Sequence, residues 1–284
     1  MIKFEEVSCR YPAFEEGEEP VTALNGVSFH IKKGSFVAIV GHNGSGKSTV
    51  ARSINALLRP FEGKITVASM DTSRDDLLWE IRSNAGMVFQ NPENQIVSAI
   101  VEDDVAFGPE NMGVPASEIR TRIDFAMRAA GVYELREKSP AQLSGGQKQR
   151  VAVAGVLAMK PKCIIFDEST SMLDPGGRRA VTDIMKKLHE AGTTVIAITH
   201  FMEEAVRAER IMVMKRGQVI SDGTPAEIFS RPELIEEAGL ALPAAVRLRR
   251  ILKQKGINVP DSILDIEELA DWVAAQRSGN VDNN

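Results

Sequence analysis

A chain of 284 residues can bury one large core or two modest ones, and 43% hydrophobic with 26% charged residues is the composition of an ordinary soluble protein. The formal net charge of −5 argues against a surface built mainly for nucleic acid, and no apolar run approaches the roughly 20 residues that a membrane helix needs. The N-terminus carries no basic segment followed by an apolar one, so no signal peptide is expected and any membrane role passes through partner proteins.

In chain order, residues 2–7 alternate loosely, and the acidic stretch 12–20 reads as a hairpin loop on a β-layer. Residues 27–32 alternate as an exposed strand before the Lys32-Lys33-Gly34 turn. Phe36–Val40 is an unbroken apolar run, the pattern of a parallel strand covered on both faces, and a helix over 47–58 follows a glycine-rich turn. Residues 91–142 read as mostly helical, part of a subdomain that extends over about 91–160. Buried strands resume at 163–166 and 195–198, separated by a helix over 178–190, and 211–214 with 219–221 form a hairpin around Lys215-Arg216-Gly217-Gln218. Alternating strands and helices predict an α/β core with a mostly parallel sheet. The tail is different: helical spacing at Pro225–Phe229, 243–255 and 266–275, broken at Pro243, Gly256 and Pro260, then a frayed end over 280–284. Cys9 and Cys163 lie far apart in strand-like stretches and read as reduced core thiols.

Three segments carry chemistry. Gly41-His42-Asn43-Gly44-Ser45-Gly46-Lys47-Ser48 matches the phosphate-binding loop pattern and follows an apolar strand into a helix, as its mechanism requires. Its backbone N–H groups would curl around phosphate oxygens, with Lys47 reaching the β- and γ-phosphates of ATP, Ser48 on Mg²⁺ and Thr49 in the following turn. The strand at 163–166 ends in Asp167-Glu168, whose side chains point to opposite sides, so the two acids need different tasks. Asp167 suits Mg²⁺, and Glu168 suits orienting and deprotonating a water. Leu143-Ser144-Gly145-Gly146-Gln147 opens a second helix whose N–H groups and serine hydroxyl can meet another anion; read alone, it is also an N-capped helix start.

With these marks in order, together with Gln90, Leu173-Asp174 and His200, the sequence resembles the ATP-binding cassette family from about residue 2 to 223. The resemblance implies a RecA-like parallel core, an antiparallel β subdomain, a helical subdomain and ATP hydrolysis, all within residues 1–242. It also implies a head-to-tail dimer in which Ser144, Gly146 and Gln147 touch the nucleotide held by a partner ATPase, with Asp174 at the interface. Tyr11 resembles the aromatic that stacks on adenine, Gln90 the glutamine near Mg²⁺ and the attacking water, and His200 the histidine that contacts the γ-phosphate. Of the other histidines, His42 lies in the loop, and His30 and His189 read as surface residues. Ser169 stands where the family usually has proline, which leaves the catalytic groups in place and makes unequal sites in a dimer of two paralogues an expectation.

The stretch from Phe89 to Gln95, with residues 101–111, is similar to ATPases of energy-coupling factor importers, and Asp167-Glu168-Ser169-Thr170-Ser171-Met172-Leu173-Asp174 to the first of their two paralogous ATPases. That similarity implies a transmembrane coupling protein as partner, a separate substrate-binding membrane component, and a place on the cytoplasmic face of the membrane. Glu93, Glu102, Asp103 and Asp104 become candidates to receive basic residues of the coupling protein, or else form a solvated acidic face. Residues 243–284 form a helical extension expected to pack against the partner ATPase. The competing readings are an importer of the ordinary binding-protein type and a soluble cassette ATPase acting on nucleic acid or ribosomes.

Overall fold

The computed structural model describes residues 1–12 and 19–281. Strands β1 (Ile2–Tyr11) and β2 (Val21–Ile31) pair antiparallel, Ile2 opposite Ile31 and Tyr11 opposite Val21. Glu6 takes a left-handed φ of 50°, and the register shifts there, which turns Val7 and Cys9 inward after Ile2 and Phe4. β3 (Phe36–Val40) and α1 (Lys47–Ile54) flank the phosphate loop, and β4 (Glu62–Val67) with β5 (Met70–Asp71) return to the antiparallel layer, ordered β2-β1-β4-β5. Next come α2 (Leu78–Asn84), β6 (Ala85–Val88), α3 (Val101–Asn111), α4 (Ala116–Ala129), α5 (Gly145–Ala158) and β7 (Cys163–Asp167). The cassette closes with α6 (Pro175–Glu190), β8 (Thr194–Thr199), the short α7 (Met202–Ala205), the hairpin β9 (Arg210–Lys215) and β10 (Gln218–Gly223), α8 (Pro225–Phe229) and α9 (Pro232–Glu237). α10 (Ala244–Gln254) and α11 (Ile266–Val281) form the tail.

Among the described residues the second sheet runs β10-β9-β3-β8-β7-β6, parallel throughout except for the β9–β10 hairpin at one edge. Apart from the half-exposed edge strand β10, its strands are buried on both faces, and their two-residue period divides one core from another. Phe36, Ala38 and Val40 join Ile164, Phe166, Val195 and Ala197 on the face covered by α5 and α6. Val37 and Ile39 join Cys163, Ile165, Ile196 and Ile198 on the face covered by α1 and the antiparallel layer.

The structure corrects several boundaries. The strand expected at 27–32 begins at Val21, and its alternation buries Val27, Phe29 and Ile31 rather than lying exposed; Phe29 stacks on Phe4 with ring centroids 4.3 Å apart. The helix expected to reach residue 58 ends at Ile54, where Leu57 and Leu58 N–H groups fold back onto the Arg52 carbonyl. β4, β5, β6, α2 and α9 had no counterpart in the sequence reading. β6 hides because it is only Ala-Gly-Met-Val, and its glycine is demanded by packing: a Cβ on Gly86 would sit 2.5 Å from Val156 Cγ1 of α5. The loop expected at 12–20 lies mostly outside the described residues, as does the end of the chain after 281.

Both cysteines are buried and free, and complete burial pushes the Cys163 thiol up to about 12. His30 is exposed, whereas His189 is half-buried, its ring tilted against Phe36 at 5.9 Å with Glu209 3.4 Å away. The tail packs on its own cassette: Leu242, Val246 and Leu264 join the core under α6, and Arg207 reaches Asp183 of α6 at 3.2 Å and Asp265 at 4.0 Å. Arg249 is buried within the tail and donates to the Asp261 and Ile263 carbonyls. Leu248, Ile251, Ile257 and Ile266 remain exposed. No helix among the described residues is long and apolar enough to cross a membrane.

Candidate nucleotide-hydrolysis site

β3 delivers the phosphate loop from the middle of the sheet. Gly44 and Gly46 turn it with left-handed φ values of 80° and 103°, and at Gly46 a Cβ would also meet the Ala23 carbonyl at 2.7 Å. α1 then starts without a side-chain cap, so its first N–H groups remain for an anion. Lys47 is buried, and its ammonium donates to the Gly41 and His42 carbonyls, both at 2.9 Å. Gly41 and Ser45 lie packed beneath the loop, a Cβ on Gly41 colliding with the Met214 carbonyl, and the His42 ring turns toward Gly239. These three shape the loop from outside the cleft.

The cleft itself encloses about 470 Å³. Tyr11, Val21, Thr22 and Ala23 line it from the antiparallel layer, facing Asn43, Gly44, Gly46, Lys47, Ser48 and Thr49, with Gln90 and Glu168 at the far side. Tyr11 ends β1, and its hydroxyl lies 3.4 Å from Thr49 Oγ1, leaving a half-buried ring at the wall.

β7 pairs with β8 up to Asp167 opposite Ile198, which sets Asp167 beside α1; Ser48 Oγ donates to its Oδ1 at 2.9 Å. Burial pushes the Asp167 carboxyl up from the ordinary range, the Ser48 hydroxyl opposes this, and the neighbouring Glu168 charge raises it further. A dehydrated carboxylate beside a hydroxyl is the hard-oxygen set that Mg²⁺ prefers, so these residues fit that ion. Glu168 leaves the strand with a left-handed φ of 48°, its N–H held by the Ile198 carbonyl at 3.0 Å. That turn places Oε1 3.4 Å from Lys47 Nζ and Oε2 3.8 Å from His200 Nδ1. Gln90 Nε2 donates to Ser171 Oγ at 3.2 Å, on the turn after Glu168. Lys47, Ser48, Gln90, Asp167, Glu168 and His200 are thus brought together from four separate stretches of chain.

Sequence reasoning missed the supports of Gln90. Gln149 Nε2 donates to the Phe89 carbonyl at 3.0 Å, and Gln95 Oε1 accepts from the Phe89 N–H at 3.2 Å, fastening the residue before Gln90 to α5. The available signal was a buried Gln149 inside an otherwise apolar helix.

The second candidate helix start is elsewhere. Ser144 caps α5, its hydroxyl accepting from Gln147 N–H at 3.3 Å while Gln147 Oε1 accepts from Ser144 N–H at 2.9 Å. Asp174 caps α6 through the Gly177 N–H at 2.8 Å. Ser144, Gly146, Gln147, Met172 and Asp174 line a second cleft of about 460 Å³. Among the described residues none lines both clefts.

Of the four acidic candidates near Gln90, the structure removes Asp104. It is buried, and its Oδ1 accepts from the N–H groups of Val97 at 2.7 Å and Ser98 at 3.1 Å, so it caps a loop and does not face outward. Glu93 pairs with Lys148 at 2.5 Å and Glu102 with Arg120, leaving Asp103 exposed, near exposed Val97, Ile100 and Phe107. Asp104→Ala is expected to lower stability by about 1–3 kcal/mol, because two part-buried backbone donors lose a buried carboxylate acceptor. Asp103→Ala is expected to stay within about 0.5 kcal/mol. Denaturant midpoints compared at constant slope check both.

Phosphate loops serve many ATPases; the separate helix start at Ser144, on a helical subdomain beside the sheet, defines this one as an ATP-binding cassette ATPase. The family model described as ABC transporter matches residues 24–171, and one described as the energy-coupling factor transporter EcfA1 C-terminal domain matches 243–278. The energy-coupling factor transporter ATP-binding protein EcfA1 of Clostridioides difficile strain 630 is 51% identical over 95% of this chain and 96% of its own length. Among solved structures, cbiO1 from Clostridium perfringens, part of the ABC transporter complex cbiONQ, superposes with a TM-score of 0.73 at 37% identity, over 88% of this chain and 98% of that one. The cassette MJ0796, dimeric in a post-hydrolysis state with ADP and Pi, gives 0.71 at 34% identity, over 79% and 99%. The chain belongs to the ABC transporter ATPases and, within them, to the energy-coupling factor ATP-binding proteins, whose ATP hydrolysis drives transport.

Proposed function

We propose that the chain works as one half of a head-to-tail ATPase dimer, with a paralogous partner, beneath a transmembrane coupling protein on the cytoplasmic face. The supporting observation is the separation of the two clefts. A nucleotide on Lys47 and Ser48 of one subunit would meet Ser144, Gly146 and Gln147 only if a second subunit supplied them, and Asp174 would then lie between the two sites. Ser144 and Gly145 are exposed, a Cβ on Gly145 would meet nothing within 4 Å, and on Gly146 it would meet only Gly177 Cα at 3.9 Å. Packing within the chain does not require these glycines, so close approach from outside is the reason for them.

In this reading the loop N–H groups and Lys47 bind the β- and γ-phosphates, and Tyr11 stacks on the adenine. Ser48, Asp167 and Gln90 would hold Mg²⁺, which neutralises developing phosphate charge. Glu168 orients and deprotonates the attacking water, while His200 holds the γ-phosphate and the Glu168 carboxylate in register. Ser169, buried with a hydroxyl that has no partner among the described residues, loosens the link from Glu168 to Asp174 and favours unequal sites. The exposed side of the Gln90–Phe107 region, apolar with Asp103 at its edge, receives the coupling protein. The substrate component, for a vitamin or a transition-metal ion, is reached only through that protein.

Affinity purification of the tagged chain from detergent-solubilised membranes, with and without ATP, tests this reading. A second cassette ATPase and a membrane-spanning protein in stoichiometric amounts are expected. The chain recovered alone and monomeric with ATP would overturn it.

A further inference from the structure

α7 carries a carboxylate that the chemistry above does not use. Glu204 is 3% exposed, yet it accepts the Thr170 hydroxyl at 2.5 Å and a second hydrogen bond from the Thr199 hydroxyl. Thr170 stands two residues after Glu168, and Thr199 immediately before His200. Arg178 of α6 approaches the same carboxylate, its Nε 3.9 Å from Oε1, while its guanidinium lies over the Phe201 ring at 3.5 Å. Phe201 N–H in turn donates to Thr199 Oγ1 at 3.0 Å, and Arg178 N–H to the Asp174 carbonyl at 2.9 Å. One side chain therefore gathers the turn after Glu168, the turn at His200 and the helix that begins after Asp174.

The spacing under its control matters. His200 Nδ1 is buried without a hydrogen-bond partner among the described residues, and it stands 3.8 Å from Glu168 Oε2, just beyond bonding distance. A few tenths of an ångström between the two turns decide whether they pair. Burial pushes the Glu204 carboxyl up, and the two hydroxyls and Arg178 oppose that cost, so the group stays in place because three segments hold it.

We propose that Glu204 is a positioning residue for hydrolysis: accepting from Thr170 and Thr199, it sets the distance between Glu168 and His200, and through Arg178 it ties that distance to α6 and Asp174. The proposal rests on the reading of Glu168 and His200 as the hydrolytic pair. A glutamine at 204 keeps one acceptor but turns an amide toward a donor and gives up the attraction to Arg178. Misplacement by about 1 Å at a catalytic group costs up to about 100-fold in rate.

The test uses the full-length protein in its assembled complex, with Glu204→Gln, Thr170→Val, the double variant, Thr170→Ser and, in parallel, Glu168→Gln. Glu204→Gln and Thr170→Val are each expected to lower kcat by about tenfold or more, with KM for ATP and nucleotide-analogue affinity within about twofold. The double variant should be no worse than the poorer single one, because both break the same link, and Thr170→Ser should recover most of the rate. Unchanged kcat in both single variants would overturn the proposal, as would losses that multiply in the double variant or that follow loss of nucleotide affinity. Should Glu204→Gln fail to fold, Thr170→Val and its serine counterpart decide by the same criteria. Wild-type turnover in Glu168→Gln would instead bring down the underlying reading of the site.

Discussion

Glu168→Gln is expected to halt turnover while nucleotide stays bound. The substitution keeps shape and removes the charge and the proton-accepting oxygen, and general-base assistance is worth about 10²–10⁴ in rate. Its structural cost is small. The turn at Glu168 is held by backbone, through its N–H on the Ile198 carbonyl and its carbonyl on the Ser171 N–H, and neither bond involves the side chain. Lys47 loses a counter-charge 3.4 Å away but keeps both loop carbonyls at 2.9 Å. An ammonium with one anion fewer beside it should hold a triphosphate more tightly, not less. Steady-state hydrolysis should fall at least about 100-fold, and ATP rather than ADP should elute with the protein, which should migrate as a dimer when ATP is present. Hydrolysis at the wild-type rate would remove Glu168 from its role.

How much of this site could be read in advance follows from how local each part is. The phosphate loop needs eight consecutive residues between a strand and a helix, and all of its physical logic lies within that window. Asp167 and Glu168 were legible because an apolar run stops at two acids, although a left-handed turn beyond the strand end, not strand alternation, sets the direction of Glu168. Tyr11 is different: nothing near residue 11 announces a cleft wall, and its place over Thr49 depends on how the antiparallel layer leans on α1. Asp104 shows the opposite failure. In sequence it is one of three acids on a helix, and only the folded loop reveals that it caps Val97 and Ser98 while Asp103 next door faces water. Gln95, Gln149 and Glu204 were invisible for the same reason. Gln149 bonds Phe89, Glu204 bonds Thr170, and Gln95, besides nearby Phe89, reaches the Ala152 carbonyl of α5, in each case tens of residues away in the chain. A lone amide or acid in an apolar stretch does not say what it will meet.

Gly146→Asp carries the second large effect, and its value lies in the opposite signs it should produce. Within the chain the change is benign. Gly146 is the second residue of α5, where a carboxylate faces the positive end of the helix and gains about 0.3–1 kcal/mol, and replacing a helical glycine removes part of its roughly 1 kcal/mol penalty. The added Cβ meets nothing closer than Gly177 Cα at 3.9 Å, so the side chain starts without a clash. Thermal stability should therefore hold or rise slightly, and this chain's own phosphate loop, whose cleft excludes Gly146, should bind a nucleotide analogue within about twofold of wild type. In the dimer the same carboxylate would stand against the triphosphate held by the partner. Two like charges about 4 Å apart repel by about 4 kcal/mol at an effective dielectric near 20, roughly a thousandfold in occupancy of the closed state. In the complex purified with its partner ATPase, hydrolysis at the site that borrows this α5 should fall at least about 100-fold. Loss of binding at the chain's own loop would instead place Ser144–Gln147 on its own nucleotide, and unchanged hydrolysis would separate that segment from nucleotide altogether. A more stable subunit inside a silent site is the outcome that only a shared site produces.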